Sequence, residues 1–350
     1  QYLGIYTASP GMPSILDPSQ TFIHSWQHSG DKNAIFEVFR TRQYQRRRHI
    51  MTQSSTPAAQ VSTAVHTTLK VTPIASALGA DIDGIDLSAP LDEATVANIR
   101  RALLDHLVIR FRGQHLDSSA LKRLGEQFGD LVIHPNLVAR GPHPEVINII
   151  KEPGDGGIIG AEWHTDTTCL EAPPMGAILH ALEVPPLGGD TLFANQYLAY
   201  ESLSAGLQTL LCQLEAVHND TRVAGPQAAL NAKRTVKTRE ARWEKIETTH
   251  PVVRTHPETG RHALYVNIAY TRHFAGMTEA ESAPLMDFLM NHAVRPEFQA
   301  RLSWRAGDVV FWDNRCLKHI AMNDYPDHRR EMIRVQITGD QPFYRDTANA

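Results

Sequence analysis

The sequence predicts a mainly β protein with helical cover, arranged as a β-sandwich or jelly roll. Short apolar runs recur between residues 69 and 338, many of them separated by glycine or proline, as is typical of all-β domains. Helical patterns are concentrated near the start of this region and around residues 278–292. With 350 residues, 42% of them hydrophobic, the chain can bury a full core, which argues against wholesale disorder.

The predicted elements follow one another regularly along the chain. Asp92 is predicted to cap a helix whose apolar residues Val96 and Ile99 recur at helical spacing. Asp117 is predicted to cap a second helix that runs to residue 128. The predicted strands are 69–74, 80–87, 107–111, 146–150, 177–184, 252–255, 263–266, 309–312 and 332–338.

The chain is predicted to divide into a non-catalytic leader with a flexible linker, residues 1–68, and a single catalytic jelly-roll domain, residues 69–350. Residues 1–50 carry six basic and three acidic side chains, and a Ser/Thr/Ala/Gln stretch follows Met51. We favour the interpretation that this leader is sequence upstream of the true start, with an Arg-rich transit peptide as the alternative. The mixed-charge segment 222–247 is a candidate surface loop or lid.

Charge and composition exclude several classes of partner. The chain has 34 basic and 38 acidic residues, so nucleic acid is not expected as its main partner. No apolar run reaches the roughly 18 residues of a membrane span. The cysteines, Cys169, Cys212 and Cys316, are too few and too scattered for a disulfide framework. We therefore expect a cytoplasmic protein that forms a homo-oligomer and acts on a small molecule.

Three His-x-Asp pairs could contribute to a metal site, because an imidazole and a carboxylate two residues apart on a strand share one face. They are His115/Asp117, His164/Asp166 and His218/Asp220. Asp117 is better explained as a helix cap, and His218 and Asp220 are predicted to lie in a polar turn. The pair at 164 and 166 precedes a strand-like run and follows a glycine-rich loop.

A non-haem Fe(II) site needs two histidines and one carboxylate, which leave metal positions open for other ligands. His319 follows the predicted strand 309–312 and is the best candidate for the second histidine beside His164 and Asp166. From the residues alone, the alternative stays open that these are two structural histidines and a capping aspartate.

From about residue 69 to residue 345 the chain resembles the taurine/2,4-dichlorophenoxyacetate dioxygenase family. The resemblance is carried by four blocks: Trp163-His164-Thr165-Asp166, Gly188-Gly189-Asp190-Thr191, Phe311-Trp312-Asp313-Asn314-Arg315 with His319, and Asp324-Tyr325 followed by Arg330 and Arg334. The family fold is a distorted jelly roll, the double-stranded β-helix, and its enzymes depend on Fe(II), 2-oxoglutarate and O2.

The resemblance implies a role for each matched residue. His164, Asp166 and His319 would be the iron ligands. Arg330, eleven residues after His319, would bind the distal carboxylate of 2-oxoglutarate. Thr191 would add a hydroxyl hydrogen bond to the same carboxylate.

The resemblance also bears on the substrate. His134, which precedes a proline, and Arg334 would bind a substrate oxyanion. Leu137, Gly160 and Ala269 stand where taurine enzymes place more polar or larger groups, which favours a roomier, less polar pocket. We expect an alkyl sulfate ester or alkylsulfonate, cleaved by hydroxylation to an aldehyde and sulfate or sulfite.

Other functions stay open at the level of the sequence. A phenoxyalkanoate or other carboxylate substrate is the alternative within the family. A jelly-roll binding module, metal-free or zinc-bound, and a zinc hydrolase are alternatives from other classes. Paired inward arginines, Arg330 and Arg334 at period two of one strand, argue for two buried anions. Arg329 is expected at an exposed, salt-bridged edge instead.

Overall fold

The computed structural model describes residues 69–224 and 243–346. The predictions for the leader and linker, residues 1–68, and for residues 225–242 of the candidate loop lie outside the described residues, so they stay predictions. Within the described part of the chain, no helix is long and apolar enough to cross a membrane.

Strands dominate the described residues. The strands are β1 (Lys70–Pro73), β2 (Ala80–Asp83), β3 (Val108–Phe111), β4 (Ile147–Lys151), β5 (Gly176–Glu183), β6 (Thr191–Asn195), β7 (Glu215–Asn219), β8 (Glu247–Pro251), β9 (Val253–Thr255), β10 (His262–Leu264), β11 (Thr271–Phe274), β12 (Gln299–Leu302), β13 (Val309–Asp313), β14 (Leu317–Ala321) and β15 (Arg330–Ile337). The helices are α1 (Glu93–His106), α2 (Ser118–Glu126), α3 (Gln196–Glu201), α4 (Ala205–Leu211) and α5 (Glu279–His292), with a 3₁₀ turn at Pro296–Phe298.

A seven-stranded sheet forms the centre of the domain. Its strand order is β1-β2-β3-β13-β5-β15-β4, and every neighbouring pair is antiparallel except β2 and β3. A three-stranded antiparallel sheet, β12-β6-β14, lies against one face of this large sheet and completes the jelly roll. The predicted fold class, a distorted jelly roll with helical cover, is confirmed.

Alternation along β13 shows how the sequence specifies two packed layers. Val309 and Phe311 belong to the apolar cluster that packs α1 and α2 against the large sheet. Val310 and Trp312 belong to the cluster on the opposite face, together with residues of the three-stranded sheet. Because successive side chains of a strand point to opposite faces, an all-apolar strand is needed where both faces are buried.

Both predicted helix caps are present. Asp92 accepts a hydrogen bond from the backbone N–H of Thr95 at 2.7 Å, and Asp117 accepts one from Ala120 at 2.7 Å. Each carboxylate satisfies one of the N–H groups that the first helical turn leaves unpaired. Asp117 is thereby fixed at the start of α2, as the analysis of the His-x-Asp pairs predicted.

The sequence missed six short strands, and the bounds of the predicted strands differ from the observed bounds by up to four residues. The strands β6, β7, β8, β11, β12 and β14 were not predicted, and β15 begins at Arg330 rather than at residue 332. The earlier start matters because it places both Arg330 and Arg334 within one strand, four residues apart.

Candidate active site

The three predicted metal ligands converge between the two sheets. His164 and His319 form an isolated antiparallel bridge, with backbone N–H to oxygen distances of 3.0 and 2.8 Å. The Nε2 atoms of His164 and His319 lie 3.6 and 3.9 Å from Oδ1 of Asp166. One ligand atom from each of the three residues falls within 4.8 Å of the others, so the group could hold one metal ion.

The backbone after His164 differs from the prediction. Residues 166–169 form a turn rather than the predicted strand-like run. Thr167 takes a φ of +40°, unusual for a β-branched residue, and its carbonyl accepts from the N–H of Leu170 at 3.0 Å. The prediction of a strand was wrong because the threonine-rich run has high β propensity but is bent by local turn bonding. The turn keeps the Asp166 side chain close to both histidines.

One hydrogen bond fixes the ring of His164 in an orientation suited to metal binding. Its Nδ1 lies 2.7 Å from the backbone oxygen of Glu162, which can only accept, so Nδ1 carries the proton. In the neutral tautomer that this bond selects, Nε2 has no hydrogen, and it faces Asp166. A metal-binding histidine ordinarily has its other ring nitrogen fixed in this way.

Gly160 is required for this arrangement. It has a φ of +82°, and a Cβ atom at this position would lie 3.1 Å from Cε1 of His164. A side chain would therefore strain the backbone and press on the imidazole.

The protonation states at the site suit a divalent cation. Burial would raise the pKa of Asp166, but the Arg334 charge beside it holds that pKa well below its usual range. Burial, reinforced by His164, holds the pKa of His319 well below its usual range. An ionised carboxylate and neutral imidazoles are the forms that bind metal. The donor set of these three residues therefore fits a two-histidine, one-carboxylate metal centre.

Arg330 and Arg334, both in β15, point inward, whereas Arg329, just before the strand, points outward. Arg330 and Arg334 are each 5% exposed. Arg329, in contrast, forms ion pairs with three glutamates at the sheet edge, as predicted. Arg334 donates to Asp166, with Nη1 and Oδ1 3.3 Å apart.

Arg330 is a buried cation that lacks a counter-ion in the part of the chain described. Among the described residues no carboxylate lies within salt-bridge distance of it, and its Nε has no hydrogen-bond partner. Arg330, Thr191 and His319 line one small cavity. An unpaired buried guanidinium is costly unless an anion joins it, so this cavity is suited to a carboxylate ligand.

His134 lies on the wall of a second cavity, which also contains Asp166 and Arg334. The Nδ1 atom of His134 accepts hydrogen bonds from the backbone N–H groups of Asn136 at 3.1 Å and Leu137 at 3.0 Å. Nδ1 is therefore unprotonated and Nε2 carries the hydrogen. Burial, followed by the Arg334 charge, lowers the pKa of His134 to about 3. His134 is a neutral hydrogen-bond donor at ordinary pH.

The second cavity has largely apolar walls. Leu137, Gly160 and Ala269, the positions expected to make the pocket roomier, all line it, together with Ile158 and Tyr270. At its edge Arg222 forms a half-exposed ion pair with Glu162 at 3.6 Å. The cavity thus combines an oxyanion-binding end, at Arg334 and His134, with room for a hydrocarbon group.

Asn314 contacts the candidate metal ligand Asp166, a position that was not predicted from the sequence although the residue lies within a quoted motif. Its Nδ2 donates to Oδ2 of Asp166 at 3.3 Å, and its Oδ1 accepts from the indole N–H of Trp312 at 2.9 Å. Asn314 thus holds Oδ2 of the carboxylate, whereas the two histidines approach Oδ1. The sequence signal was the polar Asp-Asn pair that ends an apolar strand.

A second group of ligand-type side chains, His256, Asp313 and Cys316, is less suited to a metal. Arg315 binds both oxygens of Asp313, at 2.9 and 2.7 Å, and His256 binds one of them at 3.1 Å. Burial holds the pKa of the Cys316 thiol well above its usual range. The carboxylate is already satisfied and the thiol is protonated, so this group is a structural network. Burial also raises the pKa of Cys169 to about 12, in keeping with a packing role.

Comparison with known proteins agrees with this geometry. Residues 70–336 match the taurine catabolism dioxygenase TauD, TfdA family. The chain is 37% identical over 275 residues to an alkylsulfatase of Acinetobacter baylyi, covering 78% of this chain and 86% of that protein. It is 37% identical over 289 residues to an alpha-ketoglutarate-dependent sulfate ester dioxygenase of Pseudomonas putida, covering 81% of this chain and 94% of that protein.

A solved structure shows the same fold. It is described as a putative alpha-ketoglutarate-dependent taurine dioxygenase from Burkholderia xenovorans, 36% identical, with a TM-score of 0.67 over 79% of this chain and 94% of that chain. The site defines an oxygenase-type metal centre in a jelly roll. The chain belongs to the taurine catabolism dioxygenase TauD, TfdA family, and the predicted resemblance is confirmed.

Proposed function

We propose that this protein is an Fe(II)- and 2-oxoglutarate-dependent dioxygenase that cleaves an alkyl sulfate ester or alkylsulfonate. The observation that carries the proposal is the position of Arg334. This buried guanidinium contacts the metal-ligand candidate Asp166 and lines the cavity that also contains the neutral donor His134. An oxyanion bound there would lie beside the metal position.

His164, Asp166 and His319 would hold the iron, and Arg330 and Thr191 would bind 2-oxoglutarate. Iron and 2-oxoglutarate, when bound, supply O2 activation and the oxidation of a substrate C–H bond, with succinate and CO2 as coproducts. The residues of the chain position the substrate and exclude water from this chemistry. Arg330 is suited to its role because a guanidinium matches a carboxylate with two parallel hydrogen bonds.

The charge at the oxyanion-binding end of the second cavity favours a ligand with one negative charge. Arg334 provides one positive charge, and part of it is already opposed by Asp166. His134 adds a hydrogen-bond donor but no charge, since its pKa is about 3. A sulfate ester or sulfonate has one negative charge and several acceptor oxygens, which suits this combination.

Hydroxylation at the carbon that bears the sulfate would cleave the substrate without a hydrolytic step. The product R–CH(OH)–OSO3⁻ breaks its C–O bond to sulfate while the hydroxyl loses its proton, giving the aldehyde R–CHO and hydrogen sulfate. The apolar walls at Leu137, Ile158 and Ala269 would hold the R group. The names of the Acinetobacter and Pseudomonas relatives support this substrate class.

A carboxylate substrate is the alternative, because an arginine and a histidine can also bind a carboxylate. An (S)-phenoxypropionate/alpha-ketoglutarate-dioxygenase of Delftia acidovorans is 32% identical over 271 residues, covering 73% of this chain and 90% of that protein. The aromatic group of a phenoxypropionate would also fit an apolar cavity. The higher identity to the sulfate ester relatives favours the first substrate class.

A substrate panel tests the proposal. With Fe(II), 2-oxoglutarate and O2 present, we expect a medium-length alkyl sulfate or alkylsulfonate to stimulate succinate formation, with one aldehyde and one sulfate or sulfite per succinate. Taurine should be a poor substrate. Turnover with phenoxyalkanoates alone would support the alternative, and product formation without O2 would contradict a dioxygenase. A cytoplasmic location and a homo-oligomeric state remain predictions.

A further inference from the structure

Trp304 connects the two residues proposed to bind the keto acid. The register of β12 against β6 pairs Leu302 with Thr191, and Trp304 follows two residues after Leu302, just beyond the end of β12. Its indole Nε1 donates to Oγ1 of Thr191 at 3.0 Å, and the bond is buried. The guanidinium carbon of Arg330 lies 5.7 Å from the centre of the Trp304 ring. One side chain therefore contacts both halves of the candidate carboxylate subsite.

The indole bond sets the direction of the Thr191 hydroxyl hydrogen. A threonine hydroxyl has one hydrogen and two lone pairs, whereas an indole N–H can only donate. Because one lone pair accepts from Trp304, the hydroxyl hydrogen is left to point elsewhere. Within the described residues, no protein acceptor bonds to it. The hydrogen is thus available to a ligand in the cavity that Thr191, Trp304 and Arg330 line together.

The indole ring also supports Arg330. The guanidinium is buried and has no carboxylate within salt-bridge distance among the described residues. The face of an aromatic ring attracts a cation, most strongly where water is excluded, and a flat ring leaves the edge of the guanidinium fork free. The ring can therefore hold the cation in place without using the donors that a carboxylate needs.

We propose that Trp304 is a positioning residue for the keto acid, which orients the Thr191 hydroxyl as a donor and supports Arg330 in the same carboxylate subsite. This inference rests on the proposed function, because it assigns the ligand of this subsite as the distal carboxylate of 2-oxoglutarate. It predicts that the contributions of Trp304 and Thr191 to ligand binding are coupled.

The test measures binding rather than turnover. The full chain is loaded with Fe(II) without oxygen and titrated with 2-oxoglutarate, and the visible absorption of the chelated metal gives the Kd. Trp304→Phe keeps a ring beside Arg330 but removes the N–H, and we expect the Kd to rise about three- to tenfold. Thr191→Val removes the acceptor, and Thr191→Ser keeps it.

Two further comparisons isolate the coupling. In the Thr191→Val background, Trp304→Phe should change the Kd less than twofold, whereas in the Thr191→Ser background it should weaken binding as in the wild type. Trp243→Phe is the matched control, since Trp243 also donates a partly buried indole N–H, to Asp220 at 3.0 Å, outside the subsite. This control should leave the Kd unchanged. Circular dichroism and thermal melting verify that each variant is folded.

The possible failures are distinguishable. If the wild type produces no absorption band and does not bind 2-oxoglutarate, the proposed function fails and this inference with it. If the wild type binds but Trp304→Phe binds equally well, only the role of Trp304 is wrong. Equal weakening by Trp304→Phe in the wild-type and Thr191→Val backgrounds would also contradict it, because independent packing effects add and coupled hydrogen bonds do not.

Discussion

Arg334 hydrogen-bonds Asp166, with Nη1 and Oδ1 3.3 Å apart, so the arginine proposed to bind substrate also contacts a proposed metal ligand. The substrate and metal sites therefore share an electrostatic connection. The resemblance of the sequence assigns Arg334 to the substrate oxyanion, and it does not indicate a contact with a metal ligand. The geometry instead predicts that a change at Arg334 affects both.

The first prediction concerns the pH dependence of metal binding. Burial alone would raise the pKa of Asp166, and Arg334 is the largest influence that lowers it. In Arg334→Met this opposing charge is lost, so the pKa of Asp166 should rise. A carboxylate must lose its proton to bind metal, so the variant should begin to lose affinity at a higher pH than the wild type. Calorimetric titration with Mn(II) between pH 5 and 8 measures this shift.

The neighbouring arginine is the matched control. Arg329 is salt-bridged to Glu152, Glu183 and Glu331 at the sheet edge, away from the metal position. Arg329→Met should leave the pH profile of metal binding unchanged. An identical pH profile for Arg334→Met and the wild type would show that Arg334 does not control the protonation of Asp166.

The second prediction concerns His134. Its pKa is lowered to about 3, so the folded protein keeps this imidazole neutral as the pH falls through the ordinary histidine range near 6.5. Substrate affinity should therefore show no titration of His134 between pH 5 and 8. His134→Ala should raise the substrate Kd about 10- to 100-fold, because a donor to an anion is lost, and the factor should be the same at pH 5.5 and pH 8.

The same residue affects stability with a defined sign. The unfolded chain binds a proton at His134 below about pH 6.5, whereas the folded protein binds it only near pH 3. Acidification through this window therefore favours the unfolded state.

A loss of substrate affinity in His134→Ala that appears only below pH 6.5 would indicate a charged imidazole and contradict the neutral-donor assignment.

The third prediction concerns the charge of competing ligands. Among the described residues, Arg334 is the buried cation of this cavity and is already opposed by Asp166, whereas Arg222 at the cavity edge is paired with Glu162. An alkyl phosphate of the same chain length is mostly a dianion at pH 8 and becomes a monoanion as the pH falls below its second pKa of about 6. We expect it to inhibit weakly at pH 8 and at least tenfold more strongly at pH 5.5. The matched alkylsulfonate, a monoanion throughout, should compete with an apparent affinity that is nearly constant over the same pH range.

The sequence alone was enough to predict the strands that are continuously apolar. An example is β13, in which every residue is buried. Prediction from the sequence missed β6 and β14, because polar residues at both ends leave β6 only three consecutive apolar residues, and Lys318 and His319 interrupt the apolar pattern of β14. Local residue patterns cannot show that such polar side chains are buried, since their burial depends on the opposite sheet. The site residues were accordingly found through motifs rather than through periodicity.

Other properties of the site depend on contacts that no local pattern encodes. The tautomer of His134 is set by two backbone N–H groups of the following turn, and the orientation of Asp166 by Asn314, far along the chain. The strand-like run after Asp166 was misinterpreted because the turn at Thr167 overrides β propensity. These features require the folded backbone.

The fourth prediction concerns the length of the substrate chain. Ala269 is 3% exposed and lines the cavity that also contains Arg334 and His134. Ala269→Phe should occupy the space proposed for the hydrocarbon group while leaving Arg334 and His134 in place. We expect kcat/KM for an octyl sulfate to fall at least tenfold more than kcat/KM for a butyl sulfate. The affinity for 2-oxoglutarate, which is proposed to bind at Arg330, should stay within twofold of the wild type.

A smaller substitution at Ala269 distinguishes a change in the shape of the pocket from a general loss of stability. Overpacking a buried site costs about 1–3 kcal/mol of stability, so Ala269→Val serves as the intermediate case and thermal melting as the control. The preference for the shorter chain should increase from alanine to valine to phenylalanine. Equal losses for butyl and octyl sulfates in all variants would mean that the hydrocarbon group does not lie against Ala269, and that the apolar wall of the cavity has another role.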